Sequence, residues 1–253
     1  MKIRGFLKGF MLLILPYTFL HWLRRPLLLM SNMLSLSGWV SRQKGVSAFN
    51  DFYSLKRDYS KRYKLYEYII DRFDLKNKEI TYLEFGVYKG KSFNWWLRHC
   101  DHPKSRFHGF DTFEGLPENW GSTYSKGDML ADVPDIHDPR GNFVKGLFQQ
   151  SLPDFLVTFH QEMKKETRKI IHLDADLFSS TLFVLASMAP FLKKGDILMF
   201  DEFNVPNHES YAFRIFCDAY YIKTKLVGAV NNYFQVAVMI EQITLPHSSV
   251  SGQ

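Results

Sequence analysis

From residue 80 onward, short apolar runs alternate with helix-length segments, the pattern of parallel strands joined by helical crossovers. Residues 80–85, 106–110, 143–147, 169–173 and 197–200 read as five strands, with helices at roughly 90–100, 153–166, 178–192 and 208–221 between and after them. The last two runs, 225–230 and 234–240, flank Asn231 and Asn232, a turn-forming pair that predicts a β-hairpin. The expectation is an α/β domain over 79–245: a mostly parallel, seven-stranded sheet closed by a C-terminal antiparallel hairpin, with helices on both faces. A helical lead-in at 46–78 precedes it, and residues 246–253 read as a disordered tail.

The first 45 residues have a different pattern. The run at 9–23, GFMLLILPYTFLHWL, has Lys2, Arg4 and Lys8 before it and Arg24 and Arg25 after it, and a second apolar run follows at 26–40. A spanning helix needs about 20 uninterrupted apolar residues, whereas Pro16, His21 and the two arginines break this stretch. Basic residues interleaved with Trp, Phe and Leu suit helices lying in a membrane interface. A helical hairpin packed on the domain or on a dimer partner, and a cleaved signal, are the other readings. The expected location is cytoplasmic, peripheral at the inner face of the membrane.

Charge sharpens this division. The net charge is +6, but residues 1–62 hold eleven Lys/Arg against Asp51 and Asp58, which leaves 21 basic and 24 acidic residues for the remainder. The basic excess is therefore mixed with apolar runs and reads as membrane-facing, not as a nucleic-acid groove. With 253 residues, 46% hydrophobic, the chain can bury one substantial core. Cys100 and Cys217 lack metal-ligand spacing, so neither a disulfide framework nor a zinc site is expected.

The chemistry begins at the end of the first run. Glu84-Phe-Gly-Val-Tyr-Lys-Gly-Lys-Ser92 places Gly86 and Gly90 where a backbone turns tightly against a ligand and a helix starts. The second run ends in Gly109-Phe-Asp-Thr-Phe-Glu-Gly-Leu-Pro-Glu118, putting Asp111 where an acid accepts hydrogen bonds from ribose hydroxyls. Glu84, Gly86, Val87, Tyr88, Gly90, Ser92, Asp111 and Thr112 are the candidate cofactor-binding residues. The spacing G-x-x-x-G with an acid in front suits a pyrophosphate poorly. It suits the amino group of a cationic sulfonium amino acid, S-adenosylmethionine.

Two further strand ends carry acids: His172-Leu-Asp-Ala-Asp-Leu-Phe-Ser-Ser180 and Met199-Phe-Asp-Glu-Phe203. Adjacent strands would bring Asp174, Asp176, Asp201 and Glu202 together. Like carboxylates at close range raise one another's pKa unless a cation intervenes. Ligation by Asp174, Asp201 and Glu202 would select a hard ion, Mg²⁺ before other divalent ions.

Five segments, Tyr82 to Ser92, Phe107 to Glu118, Gly146 to Leu156, Ile171 to Ser180 and Gly195 to Phe203, resemble the TylF family of macrocin-type O-methyltransferases. The resemblance covers roughly residues 60–240. It implies a Rossmann-like class I methyltransferase fold, a divalent metal on Asp174, Asp201 and Glu202, Asp176 as general base, and a hydroxyl of a sugar or glycosylated metabolite or glycan as acceptor. The family's Asp-Gly-Asp and Asp-Asp are here Asp-Ala-Asp and Asp-Glu. The side chain of Glu202 is thus one methylene longer than the family's acid.

Two other classes remain open: a nicotinamide-dependent oxidoreductase, and a non-catalytic membrane-tethered scaffold. The stretch 119–142 is a candidate lid, with Trp120, Tyr124 and His137 available to a sugar ring. His172 and His208 read as core or capping histidines beside the acids. The acceptor is a small molecule or a glycan, lipid-linked or diffusible, and the aromatic segment 49–68 makes a homodimer conceivable.

Overall fold

The computed structural model describes residues 2–14, 16–46, 48–116 and 124–244. Trp120, the start of the candidate lid and the tail expected at 246–253 lie outside the described residues. The chain divides into two compact units, with the boundary between Lys44 and Gly45.

The first unit is helical: α1 (Lys2–Leu13), α2 (Tyr17–Leu20), a 3₁₀ turn (His21–Leu23) and α3 (Arg24–Arg42). Pro16 immediately precedes α2 and Pro26 lies in the first turn of α3, positions where a missing N–H costs little. Among the described residues no single helix is long and apolar enough to cross a membrane.

The second unit contains β1 (Phe49–Asn50), α4 (Lys61–Phe73), β2 (Ile80–Phe85), α5 (Lys91–His99), β3 (Arg106–Asp111), β4 (Gly141–Lys145), α6 (Phe148–Thr158) and α7 (His160–Met163). It continues with β5 (Arg168–Leu173), α8 (Phe178–Met188), β6 (Ile197–Phe200), α9 (Glu209–Ala219), β7 (Ile222–Val230) and β8 (Gln235–Ile243). The sheet order is β1-β7-β8-β6-β5-β2-β3-β4. Strand β8 runs antiparallel to β6 and β7, and the other pairs are parallel. The expected mostly parallel sheet with its C-terminal hairpin is present, with an eighth strand added. That strand, β1, has two residues, too few to leave a periodic signal.

Strands β2, β5 and β6 are buried along nearly their whole length, which explains their unbroken hydrophobicity: parallel strands are covered on both faces. Alternate side chains feed two cores. Tyr82, Phe107, Ile170, Ile197 and Met199 join Leu65, Tyr66, Phe93 and Trp96 of α4 and α5. On the other face, Phe85 meets Phe148, Phe110 meets Phe155, and Phe200 meets Phe213, with ring centroids 4.9–5.5 Å apart.

Several boundaries differ from the expected ones: β7 begins at Ile222 and β8 runs to Ile243, three residues beyond the hairpin's expected limits at each end, and the helix expected at 153–166 is two helices, α6 and α7. Strand β4 begins two residues earlier, at Gly141, because it registers with Phe107. Helix α6 begins at Phe148 and continues through Pro153. Burial of Leu152 and Phe155 outweighs the hydrogen bond that proline cannot donate. Strand β2 lies between β3 and β5. The chain therefore leaves β2 in one direction for β3 and β4, then returns to its other side as β5. The carboxyl ends at such a reversal open a crevice in an α/β sheet.

Candidate active site

A crevice of about 760 Å³ lies at these strand ends. Asp174, Asp176, Asp201 and Glu202 line it together with Gly86, Tyr88, Asp111 and Thr112. The residues expected to bind metal and cofactor thus meet in one place, although Glu84, Val87, Gly90 and Ser92 do not line it.

The turn after β2 is set by steric fit. Gly86 has φ +96°, and a Cβ there would stand 1.8 Å from the carbonyl oxygen of Asp174. Only glycine lets the tips of β2 and β5 approach this closely. Asp111 ties the turn to β3: its Oδ2 accepts the N–H groups of Val87 and Tyr88, each at 2.8 Å, and its Oδ1 accepts that of Phe113 at 2.8 Å. A carboxylate has about four acceptor sites, so Asp111 retains capacity toward the crevice while bracing two loops.

Glu84 departs from expectation. It is fully buried, accepting from Ser92 Oγ at 2.6 Å and from Tyr82 Oη at 2.5 Å. Both oxygens are engaged inside the protein, because alternation along β2 turns residue 84 to the same face as Tyr82 and toward α5. Its function in the structure is to clamp the first turn of α5. Burial raises its pKa to about 7. His172, which contacts Tyr82 at 2.8 Å through Nδ1 and lies 3.4 Å from Tyr66 Oη through Nε2, is pushed down to about 3 by burial and is neutral. It is a core histidine.

The acids at the tips of β5 and β6 carry the electrostatics. Burial raises the pKa of Asp174, reinforced by repulsion from Asp201, Asp176 and Glu209. Asp176, at φ +56°, is pushed up to about 7 by burial, then by Asp201 and Asp111. Glu202 rises to about 8 through burial and the charges of Asp176 and Asp201. Asp201 Oδ1 and Glu202 Oε2 are buried without a hydrogen-bond partner among the described residues.

Three participants were not anticipated. Glu209, at the start of α9, is fully buried; its Oε2 accepts the N–H of Glu202 at 2.9 Å, while its Oε1 has no partner among the described residues. Arg62, on α4, places Nη1 3.2 Å from Asp201 Oδ2. Tyr59 lines the crevice beside it. The membrane-facing reading of the basic excess at 1–62 does not hold for Arg62, which faces the acids. Lys61 pairs with Asp51 at 2.6 Å, and the Arg57 guanidinium lies 3.7 Å from the ring centroid of Phe234. These cations belong to the second unit.

Within the candidate lid, Leu116 and Gly127 exchange backbone hydrogen bonds with residues 128 and 116, and Glu114 bridges to Leu130. Tyr124 and Met129 line the crevice. His137 does not: it lies in a separate shallow depression with Asn94 and Arg140, its side chain 91% exposed. His208 directly precedes α9 and accepts the Ala212 N–H through its carbonyl.

Among the described residues no three His, Cys, Asp or Glu side chains form a ready-made metal-ligand group. The donor chemistry nonetheless fits a hard cation: carboxylate oxygens alone, several buried without a hydrogen-bond partner among the described residues, with Arg62 and the weaker influence of Arg57 set against five acids.

Residues 83–203 match the family model of a methyltransferase domain. No curated protein matches the chain. Among solved structures, the calicheamicin methyltransferase CalS11 superimposes with a TM-score of 0.56 at 23% identity, covering 72% of this chain and 80% of that one. An apo form described as TDP-rhamnose 3'-O-methyltransferase gives 0.50 at 22%, covering 72% and 81%. These likenesses show the fold. The matched segment is the one that builds the crevice, from the β2 turn to the acids after β6, so the match to a methyltransferase domain falls on the candidate site itself.

Proposed function

We propose that the protein transfers a methyl group from S-adenosylmethionine to a hydroxyl of a sugar or glycosylated acceptor, with a divalent ion, Mg²⁺ first, held by Asp174, Asp201 and Glu202. The observation that carries this reading is the surplus of buried negative charge at the adjoining tips of β5 and β6, beside the glycine turn. The resemblance to TylF-type enzymes and the sugar substrate named for the CalS11 structure point to the same acceptor class.

When bound, S-adenosylmethionine supplies an electrophilic methyl on a positively charged sulfur, whose charge suits a crevice rich in carboxylates. A divalent ion, when bound, supplies Lewis acidity toward an acceptor hydroxyl. The chain's own residues do the rest. Of the residues lining the crevice, Gly86, Tyr88, Asp111 and Thr112 would hold the cofactor and Tyr124 and Met129 would meet the acceptor. Asp176, with its pKa near 7, takes the hydroxyl proton onto its carboxylate as the oxygen–carbon bond forms and the carbon–sulfur bond breaks. Arg62 holds Asp201 in place and opposes the rise that burial imposes on its pKa.

The test is release of S-adenosylhomocysteine from a panel of nucleotide-linked and lipid-linked sugars, with and without chelator. Turnover that disappears on chelation and returns with Mg²⁺ is expected. Turnover indifferent to chelation removes the metal from the proposal, and methylation of non-sugar acceptors alone removes the acceptor class.

A further inference from the structure

The helical unit at 1–44 lacks a core. Every apolar side chain in the buried set lies at Leu65 or beyond, and Asn32 is the one buried residue among those described in this unit. Phe6 is 74% exposed, Trp22 65% and Leu34 68%. Isolated helices of this length gain little from backbone hydrogen bonds alone, and apolar surface this continuous marks a contact site.

The arrangement selects the partner. In α1, Phe6, Leu7, Phe10 and Met11 recur at helical spacing, the Phe6 and Phe10 rings stack at 6.5 Å, and Ile14 extends the stripe by donating its N–H to Phe10. Lys8 lies at the edge of that stripe. The unit holds seven Lys/Arg (Lys2, Arg4, Lys8, Arg24, Arg25, Arg42, Lys44) and no Asp or Glu. A second copy would bring seven like charges against seven. An anionic surface would neutralise them. Arg24 and Arg25 fall between the two apolar runs, where a spanning segment would carry them into hydrocarbon at considerable cost; helices lying flat deliver them to headgroups. Tyr17 and Trp22, amphipathic rings beside that pair, suit the same depth.

We infer that residues 1–44 form an interfacial docking surface for a bilayer rich in anionic lipid, lying in the headgroup region without crossing it. This goes beyond the methyl-transfer reading and does not depend on it.

Flotation of the full chain with vesicles of phosphatidylcholine, with and without phosphatidylserine, tests it. Binding is expected on the anionic vesicles, weakened by salt and released by alkaline carbonate. The double substitutions Arg24→Glu/Arg25→Glu and Phe6→Ser/Phe10→Ser should each weaken binding about tenfold or more. Thermal unfolding of the catalytic unit should be unchanged in both, showing that the loss is not misfolding. Equal, salt-insensitive binding to neutral vesicles overturns the inference, as does resistance to carbonate, since the bent pair Gly5–Leu13 and Tyr17–Arg42 has the length and composition of a broken span. So does a stable dimer, without vesicle binding, that the Phe6/Phe10 substitutions dissolve.

Discussion

At Asp176 and Glu84 the same physical cause, removal from water, produces two different roles. Asp176 faces the crevice with a pKa of about 7, so it is poised to gain and lose a proton near neutrality. Asp176→Asn keeps the shape and removes the base. Turnover should fall about 10²–10⁴-fold, while calorimetric affinity for S-adenosylhomocysteine stays within a small factor; undiminished turnover would exclude Asp176 as base. Glu84 is buried away from the crevice, and its raised pKa acts on stability. Its ordinary value of 4.5 is pushed to about 7 in the fold, so the folded state binds the proton more tightly than the unfolded chain does. Its contribution is complete below pH 4.5 and is lost as pH rises through 7. At about 1.4 kcal/mol per pKa unit, the loss is of the order of 3 kcal/mol. Glu84→Gln cannot ionise, so its unfolding free energy should decline less steeply between pH 5 and 7.5 than that of the parent in urea titrations. Parallel pH profiles would show that Glu84 is ionised in the fold at all these values.

At the scale of elements, the site depends on how closely β2 and β5 approach. The carbonyl of Asp174 occupies the space a Cβ on Gly86 would need, and the N–H of Asp174 donates to Phe85 at 2.9 Å. Gly86→Ala must therefore push the β5 tip, and Asp174 with it, away from the turn. A positive φ compounds the strain. A loss of about 2 kcal/mol or more in stability is expected, together with at least tenfold weaker cofactor binding. Retained affinity in the destabilised variant would separate the turn from the binding site. The same elements show what a reader of the sequence could see. The glycine turn, Asp111 and the acids after β5 and β6 each sit at the end of a buried strand, and unbroken apolar runs announce such strands. Arg62 and Glu209 sit on helices, where nothing local distinguishes a residue aimed at the site from one in solvent. Arg62 was further hidden by basic neighbours that suggested a membrane. Glu84 was misplaced for a related reason: its position in the motif was legible, but the face of β2 it occupies depends on pairing with β3 and β5 and on where α5 packs.

The whole molecule joins two units that obey opposite rules. The catalytic unit buries Trp96, Tyr66, Tyr82, Phe93 and Phe107 around its sheet; each fully buried large side chain contributes about 1.5–3 kcal/mol. The helical unit buries no apolar side chain among its described residues and concentrates positive charge. Stability and attachment are therefore assigned to different stretches of sequence. The cut falls between Lys44 and Gly45, ahead of β1, whose Phe49 and Asn50 pair with Gly228 and Ala229. A chain starting at Gly45 keeps this edge strand, the Arg62–Asp201 pair and every buried apolar residue. It should unfold cooperatively within a few degrees of the full chain and bind S-adenosylhomocysteine with equal affinity, yet fail to float with anionic vesicles. Melting lowered by ten degrees or so, about 2.5–5 kcal/mol for a domain of this size, would mean that the helical unit supports the fold and that its exposed apolar surface is partly spent on the domain instead of on lipid.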